Sequence, residues 1–212
     1  MSSTVSTPAV PAASSPVRAP AFADAHERII QASYRLFSRR AVRDVAMDEI
    51  VMASGVAKAT LYRHFATKDD LLLAFLARRE LDWTFDIVKQ GARSRSSDPE
   101  GRLLAIFDVF DDWFQRDDFE ACSFINVLLE MGADHPLGRA RTVYLANIRS
   151  VVSGFAAEAG MTEPEQFALS WHILMKGCIV QAAEGDHLAA RRARALGELL
   201  IAANRAAASS SG

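Results

Sequence analysis

Residues 47–65 read MDEIVMASGVAKATLYRHF. Met47, Ile50, Val51 and Ser54 recur at steps of three or four, which predicts a short helix with one buried stripe. Asp48 and Glu49 fall in its first turn, where negative charge suits the helix dipole. Gly55 predicts the stop, because the residue past a helix end commonly turns left-handed and glycine does so without steric cost. In a second short helix Leu61 and Phe65 share a face and, with Val56, can close a small three-helix core. Lys58, Ala59, Tyr62 and Arg63 are then left pointing outward. Two short helices joined by a glycine turn form a helix-turn-helix, the unit that lays its second helix in the major groove of DNA.

The outward residues suit that docking. A small Ala59 lets the backbone approach the groove floor, while Lys58 and Arg63 can reach base edges such as guanine. Thr60, Tyr62 and His64 carry hydroxyl or imidazole groups of the kind that fix register on phosphates, and Lys68, opening the next helix, adds a phosphate contact. Taken singly, the same residues would read as a solvated face and a packing tyrosine. Their order inside one docking layout favours DNA.

From residue 28 to 75 the segments RIIQASYRLFSRR, AVRDVAMDEI, SGVAKATLYRHF and ATKDDLLLAF resemble the tetracycline-repressor (TetR) family of bacterial transcription regulators. The pattern Tyr62-x-His64-Phe65 followed by Lys68 is its most specific part. Beyond residue 76 the likeness is one of architecture and size, apart from CSFIN at 122–126, which is similar to a stretch in the body of one sub-group. The resemblance implies a DNA-facing set of Lys58, Thr60, Tyr62, Arg63, His64 and Lys68. It also implies a helical body that binds a small molecule and moves the connecting helix. Three positions depart from the family pattern: Ala41 stands for a usual glycine, Ala46 for a Ser or Thr cap, and Ala57 for a frequent serine. A lost cap costs about 1 kcal/mol.

The chain has 212 residues, enough for one or two domains with a sizeable core. Half of them are hydrophobic, yet no apolar run approaches the roughly 20 residues of a membrane span. No secretory signal is visible at the N-terminus. Cys122 and Cys178, the two cysteines, therefore read as reduced cytosolic thiols, and a cytoplasmic protein is expected. The net charge of −2 divides into +3 over residues 1–66 and −5 over the remainder, a basic head on an acidic body.

Neither paired Cys or His spacing nor a Gly-x-Ser-x-Gly or phosphate-cradling glycine loop occurs, so no metal, cofactor or catalytic residue is expected. The competing readings are a constitutive DNA-binding protein without an effector, and an all-helical enzyme using Glu130, His135 or His172 as acid and base.

The whole reads as all-α, since no stretch alternates at period two. Residues 1–22, rich in Ser, Ala and Pro, are expected to be a disordered arm, with 23–67 as the helix-turn-helix domain. Residues 68–206 form a helical regulatory and dimerisation domain, and 207–212 a disordered tail. A first helix at 24–39 turns Ile29, Ser33, Leu36 and Phe37 inward; a connecting helix at 68–89 starts from the Thr67 cap with Asp70; and 91–99 is a polar break. Leu103, Ile106, Phe107, Phe110 and Phe114 recur at helical steps, and further helices follow at 121–131, 139–160, 165–183 and 187–206.

An effector cavity is expected among Phe107, Phe110, Trp113, Phe114, Phe124, Asn126, Glu130, Trp171, His172 and Met175, large apolar groups with a few polar ones. Core packing is the competing reading for each aromatic. The last two helices, with Phe167, Leu174 and Cys178 on one and Leu188, Ala195 and Leu199 on the other, are expected to pair with their own copies as a four-helix bundle. The expected partners are thus double-stranded DNA, a small-molecule effector and a second copy of the chain, with no membrane. A twofold dimer would read a near-palindromic operator whose half-sites lie about 34–36 Å apart.

Overall fold

Helix α1 (Ala21–Phe37) places Ile29, Ser33 and Phe37 inward, and the buried Ser33 hydroxyl donates to the Ile29 carbonyl at 2.8 Å, so its burial leaves no orphan donor. A single 3₁₀ turn (Val42–Asp44) leads to α2 (Met47–Ser54) and α3 (Lys58–His64). Gly55 ends α2 with φ 64°, the left-handed conformation that the sequence requires there. Val45, Ile50, Val56, Leu61 and Phe65 close the head's core with α1. The computed structural model describes residues 21–117, 119, 130 and 135–210. The expectations for residues 1–20, for the 121–129 part of one helix with Cys122, Phe124 and Asn126, and for 211–212 lie outside the described residues. Ala21 and Phe22, assigned above to the arm, belong to α1.

Thr67 caps α4 (Lys68–Arg79) as its spacing predicts. Its hydroxyl accepts the Asp70 N–H at 3.1 Å, and the Asp70 carboxylate accepts the Thr67 N–H at 3.0 Å. The chain then loosens into a π-helical segment (Glu80–Gln90) and tightens again as α5 (Gly91–Arg95) without interruption. The polar break expected over 91–99 is therefore confined to 96–98. Gly91 explains the difference: a Cβ there would sit 2.9 Å from a Val109 methyl, so glycine serves close packing against the next helix and does not end its own.

The Asp98 carboxylate accepts the Gly101 N–H at 2.7 Å and starts α6 (Pro99–Phe114), with Pro99 in the first turn. Helices α7 (Pro136–Glu158), α8 (Pro164–Ala183) and α9 (Ala189–Ser210) complete the body. Helix α9 runs past the expected end at 206. Helix α7 packs on α8, and α9 packs on both α6 and α8. Their shared core holds Phe107, Phe110, Phe114, Phe155 and Trp171, all buried, with the Phe167 and Trp171 rings stacked 5.2 Å apart. The connecting helix α4 touches α1 on one side and α7 on the other, so it joins head to body. The described chain is all-α and contains no strand.

His172 is buried in this core, and burial, reinforced by the charges of Lys176 and Arg149, pushes its imidazole down to about 3. The unfolded chain takes up a proton near pH 6.5 that the folded chain refuses until about 3. This group's stability contribution is therefore complete above pH 6.5 and is lost as pH falls below it. Between pH 7.5 and pH 5 the loss should be about 2 kcal/mol. Urea unfolding of the parent and of His172→Leu at both pH values checks this. The variant should lose less stability over that interval, and equal losses would refute the assignment.

Candidate nucleic-acid interface

The second helix of the head stands on Leu61 and Phe65, both buried, and on Val56 beneath the turn. Lys58, Ala59, Tyr62 and Arg63 face solvent, with Tyr62 42% exposed although aromatic. Such a ring on the outside of a small domain has an apolar body to offer a partner. The Lys58 ammonium lies 2.7 Å from the Asp48 carboxylate across the turn, and that bond pushes its pKa above the ordinary lysine value. Arg28 and Arg35 donate from α1 to the carbonyls of Gly55 and Ala53, at 3.5 and 3.3 Å, and so stitch the first helix to the turn. Thr60 is half-buried beside Arg28, Ala57 and Arg63 in a shallow groove of about 320 Å³.

Two residues assigned above to DNA are placed differently. His64 is half-buried, its ring edge-on to His26 of α1 at 5.6 Å, and burial lowers its basicity. Its ring belongs to the α1–α3 contact. Lys68 turns back onto the head, where its ammonium donates to the Val42 carbonyl.

The three alanines at cap positions are partly offset from elsewhere in the chain. Ala46 offers no acceptor to α2, but the Glu49 carboxylate accepts the Ala46 N–H at 3.0 Å and is itself held below the usual carboxylate range by Arg40. Ala57 likewise gives α3 no side-chain cap. Ala41 cannot cap the Val42–Asp44 turn, and the capping comes from the body: the two Glu130 oxygens accept the Val42 and Arg43 N–H groups at 2.8 and 2.7 Å. Glu130, assigned above to the effector cavity, is therefore a bridge from body to head. The acceptor that these two N–H groups find lies 88 positions from Val42, and nothing in the local sequence announces it.

The other cavity assignments also divide. Phe110, His172 and Met175 line a cavity of about 30 Å³ together with Trp83, Thr84 and Tyr144. One lining residue, Thr84, donates its hydroxyl at 2.9 Å to Oε2 of Glu80, which is buried and has its carboxyl pushed up by that burial. Phe107, Phe114 and Trp171 are core instead, and Trp113 faces a separate cleft between head and body. Glu130, His135 and His172 do not share a site. The first meets the head, His135 Nε2 lies 3.7 Å from Asp69, and His172 sits in the body's interior. Among the described residues no group of three or more His, Cys, Asp or Glu is placed to hold a metal ion, and no helix is long and apolar enough to cross a membrane.

The outward apolar residues are Leu169, Ile173 and Val180 on α8, Leu188 in the turn before α9, and Leu196 and Leu199 on α9. Ile173 is 71% exposed and Leu199 68%. Phe167 and Cys178, assigned above to an interface, are instead buried within the protomer, where the Cys178 thiol donates to the Met175 carbonyl at 3.1 Å. Leu174 is half-buried, and Ala195 is exposed beside the apolar face.

Comparison with known proteins follows the same lines as this geometry. Residues 29–75 match the family described as bacterial regulatory proteins, tetR family. The HTH-type transcriptional activator FasR of Mycolicibacterium smegmatis is 34% identical over 90 residues, 42% of this chain and 40% of its own length. The HTH-type transcriptional regulator SrpR of Pseudomonas putida is 37% identical over 68 residues, 30% of this chain and 32% of its own. The matches thus span two-fifths or less of these curated relatives. The crystal structure of a TetR-family transcriptional regulator from Streptomyces coelicolor superposes over 86% of this chain and 96% of that one, with TM-score 0.79 and 25% identity. A putative regulator of the same kind from Streptomyces avermitilis, 24% identical, covers 85% of this chain and 98% of its own at TM-score 0.74, a likeness of fold. Residues 29–75 thus carry the segment that characterises the tetR family of bacterial regulatory proteins, on a body whose fold is that of these solved structures.

Proposed function

We propose that the protein is a dimeric DNA-binding transcriptional repressor that reads a near-palindromic operator and is released from it by a small molecule. The observation that carries the reading is the exposed face of α3, where Lys58, Ala59, Tyr62 and Arg63 stand free of the core that Leu61 and Phe65 anchor. Such a face fits the major groove, with Arg63 and Lys58 as base-edge donors. Lys58 first exchanges its Asp48 partner for DNA. Lys68 is retained as a contact of the DNA backbone on the strength of the family pattern, reached when its ammonium leaves the Val42 carbonyl.

One short helix reads too few base pairs to select a site alone, so two copies are required. The apolar face of α8 and α9 supports a partner of the same kind, since a second copy brings the identical stripe and closes a four-helix bundle. The body cavity of about 30 Å³ holds roughly one water, against 300–1,000 Å³ for ordinary ligand sites. An effector that entered there would have to part Trp83 and Tyr144, which lie on the π segment and α7 and so connect to α4. Binding would shift the spacing of the heads by its preference for the opened state, a coupling on the order of 1–3 kcal/mol.

Selection of bound genomic fragments, followed by gel shift of the winning fragment, tests the reading. Arg63→Ala should relax base preference at one position of each half-site while leaving the salt dependence nearly unchanged. Wild-type preference in that variant would remove Arg63 from the contact set. Failure of the parent to bind any duplex at low salt would end the proposal.

A further inference from the structure

A cleft of about 520 Å³ opens between the head and the body, and arginines dominate its polar lining. Arg35 lines it from α1, Arg39 from the turn after α1, Arg79 from the end of α4, Arg95 from α5, and Arg116 from the turn after α6. Among the described residues that line it, Asp112 is the single carboxylate, 2.5 Å from Arg95. Five arginines lining one concavity against a single carboxylate among its described residues raise its positive potential and draw anions into it. The guanidinium is also the side chain whose planar fork matches a carboxylate or phosphate.

Arg79 shows that the site is built. It is buried, 5% exposed, with its guanidinium 5.2 Å from the centre of the Tyr34 ring and 5.4 Å from that of Trp83, and it donates to the Tyr34 hydroxyl. Contacts of this kind fix the orientation of the cation before any ligand arrives. The rest of the wall is apolar: the Trp83 and Trp113 rings lie 4.2 Å apart, flanked by Ile87 and Val109. The volume falls within the ordinary ligand range, whereas the interior body cavity does not.

We infer that this head–body cleft binds an organic anion, a carboxylate or phosphate head held by the arginines with an apolar tail against Trp83 and Trp113. One wall belongs to α1 and the other to the body, so the bound anion ties the two together and limits the swing of the head. That consequence for the operator rests on the DNA-binding reading; the binding itself does not.

The test titrates the full chain with 4-phenylbutyrate and with its neutral counterpart 4-phenylbutanol, following tryptophan fluorescence. The acid should saturate with a dissociation constant of about 1 mM or tighter, and the alcohol should bind at least about tenfold more weakly. Arg39→Ala and Arg116→Ala, both at exposed positions, should each weaken the acid about tenfold with unchanged thermal unfolding. Equal binding of the alcohol, wild-type binding by both variants, or no saturation overturns the site. Gel shifts separate the second claim. A saturating acid that leaves operator affinity unchanged refutes the tie between head and body, and a parent that ignores DNA refutes the operator reading while leaving the anion site standing.

Discussion

The double substitution Ile173→Asp, Leu199→Asp is expected to leave each protomer folded, to keep the protein monomeric, and to weaken operator binding by about a hundredfold or more. Both side chains are more than two-thirds exposed within the protomer, so replacing them removes almost no internal packing. In a twofold assembly each change appears twice, and four carboxylates would be forced into one apolar seam. Burial of an unpaired carboxylate is costly enough that the seam does not form. Once the heads are separate, each half-site is bound alone, and the gain of two to four powers of ten that linkage provides is lost. Sedimentation equilibrium reads the oligomeric state, and gel shift with full and half operators reads the affinity. A double variant that remains dimeric places the interface elsewhere. A monomer with parental affinity would refute the two-headed reading.

That pair of positions also marks where the sequence misleads. Helix α8 is apolar nearly all round, with Phe167, Trp171 and Cys178 on one side and Leu169, Ile173 and Val180 on another. A helix without a polar face has no stripe to follow, so spacing alone cannot separate the side that meets its own core from the side left open. Only the positions of α7 and α9 decide it.

The head was more legible because its determinants are local. Gly55, the Thr67–Asp70 pair and the Leu61–Phe65 step each act within a few residues, and each element begins or ends where they place it. The π segment at Glu80–Gln90 has no such mark. It arises in the middle of a continuous helix where Trp83 must meet Phe110 and Trp113, and no local residue type announces the change of winding. The same limit hid the cleft of arginines, since residues 35, 39, 79, 95 and 116 are neighbours only after α1, α4, α5 and α6 have packed.

Glu130 is the clearest case of a role set by tertiary structure, and removing it should have the largest effect on how the head is held. Ala41 leaves the first N–H groups of the Val42–Asp44 turn without a local acceptor, and both Glu130 oxygens supply one. The Val42 carbonyl, on the other side of the same residue, accepts from Lys68. The turn between α1 and α2 is thus pinned to the body through its N–H groups and to α4 through its carbonyl. In Glu130→Ala two backbone donors lose their partner, one of them on the buried Val42, at a cost of about 1–3 kcal/mol. The head should then open locally far more often while the core of α6 to α9 stays closed. Amide hydrogen exchange reads this directly: Val42 and Arg43 should lose about tenfold or more of their protection, with amides of α8 unchanged. Glu130→Gln, which keeps one acceptor oxygen, should fall between. Parental protection at Val42 and Arg43 in the alanine variant would show that the carboxylate does not hold the turn, and that the body reaches the head through α4 alone.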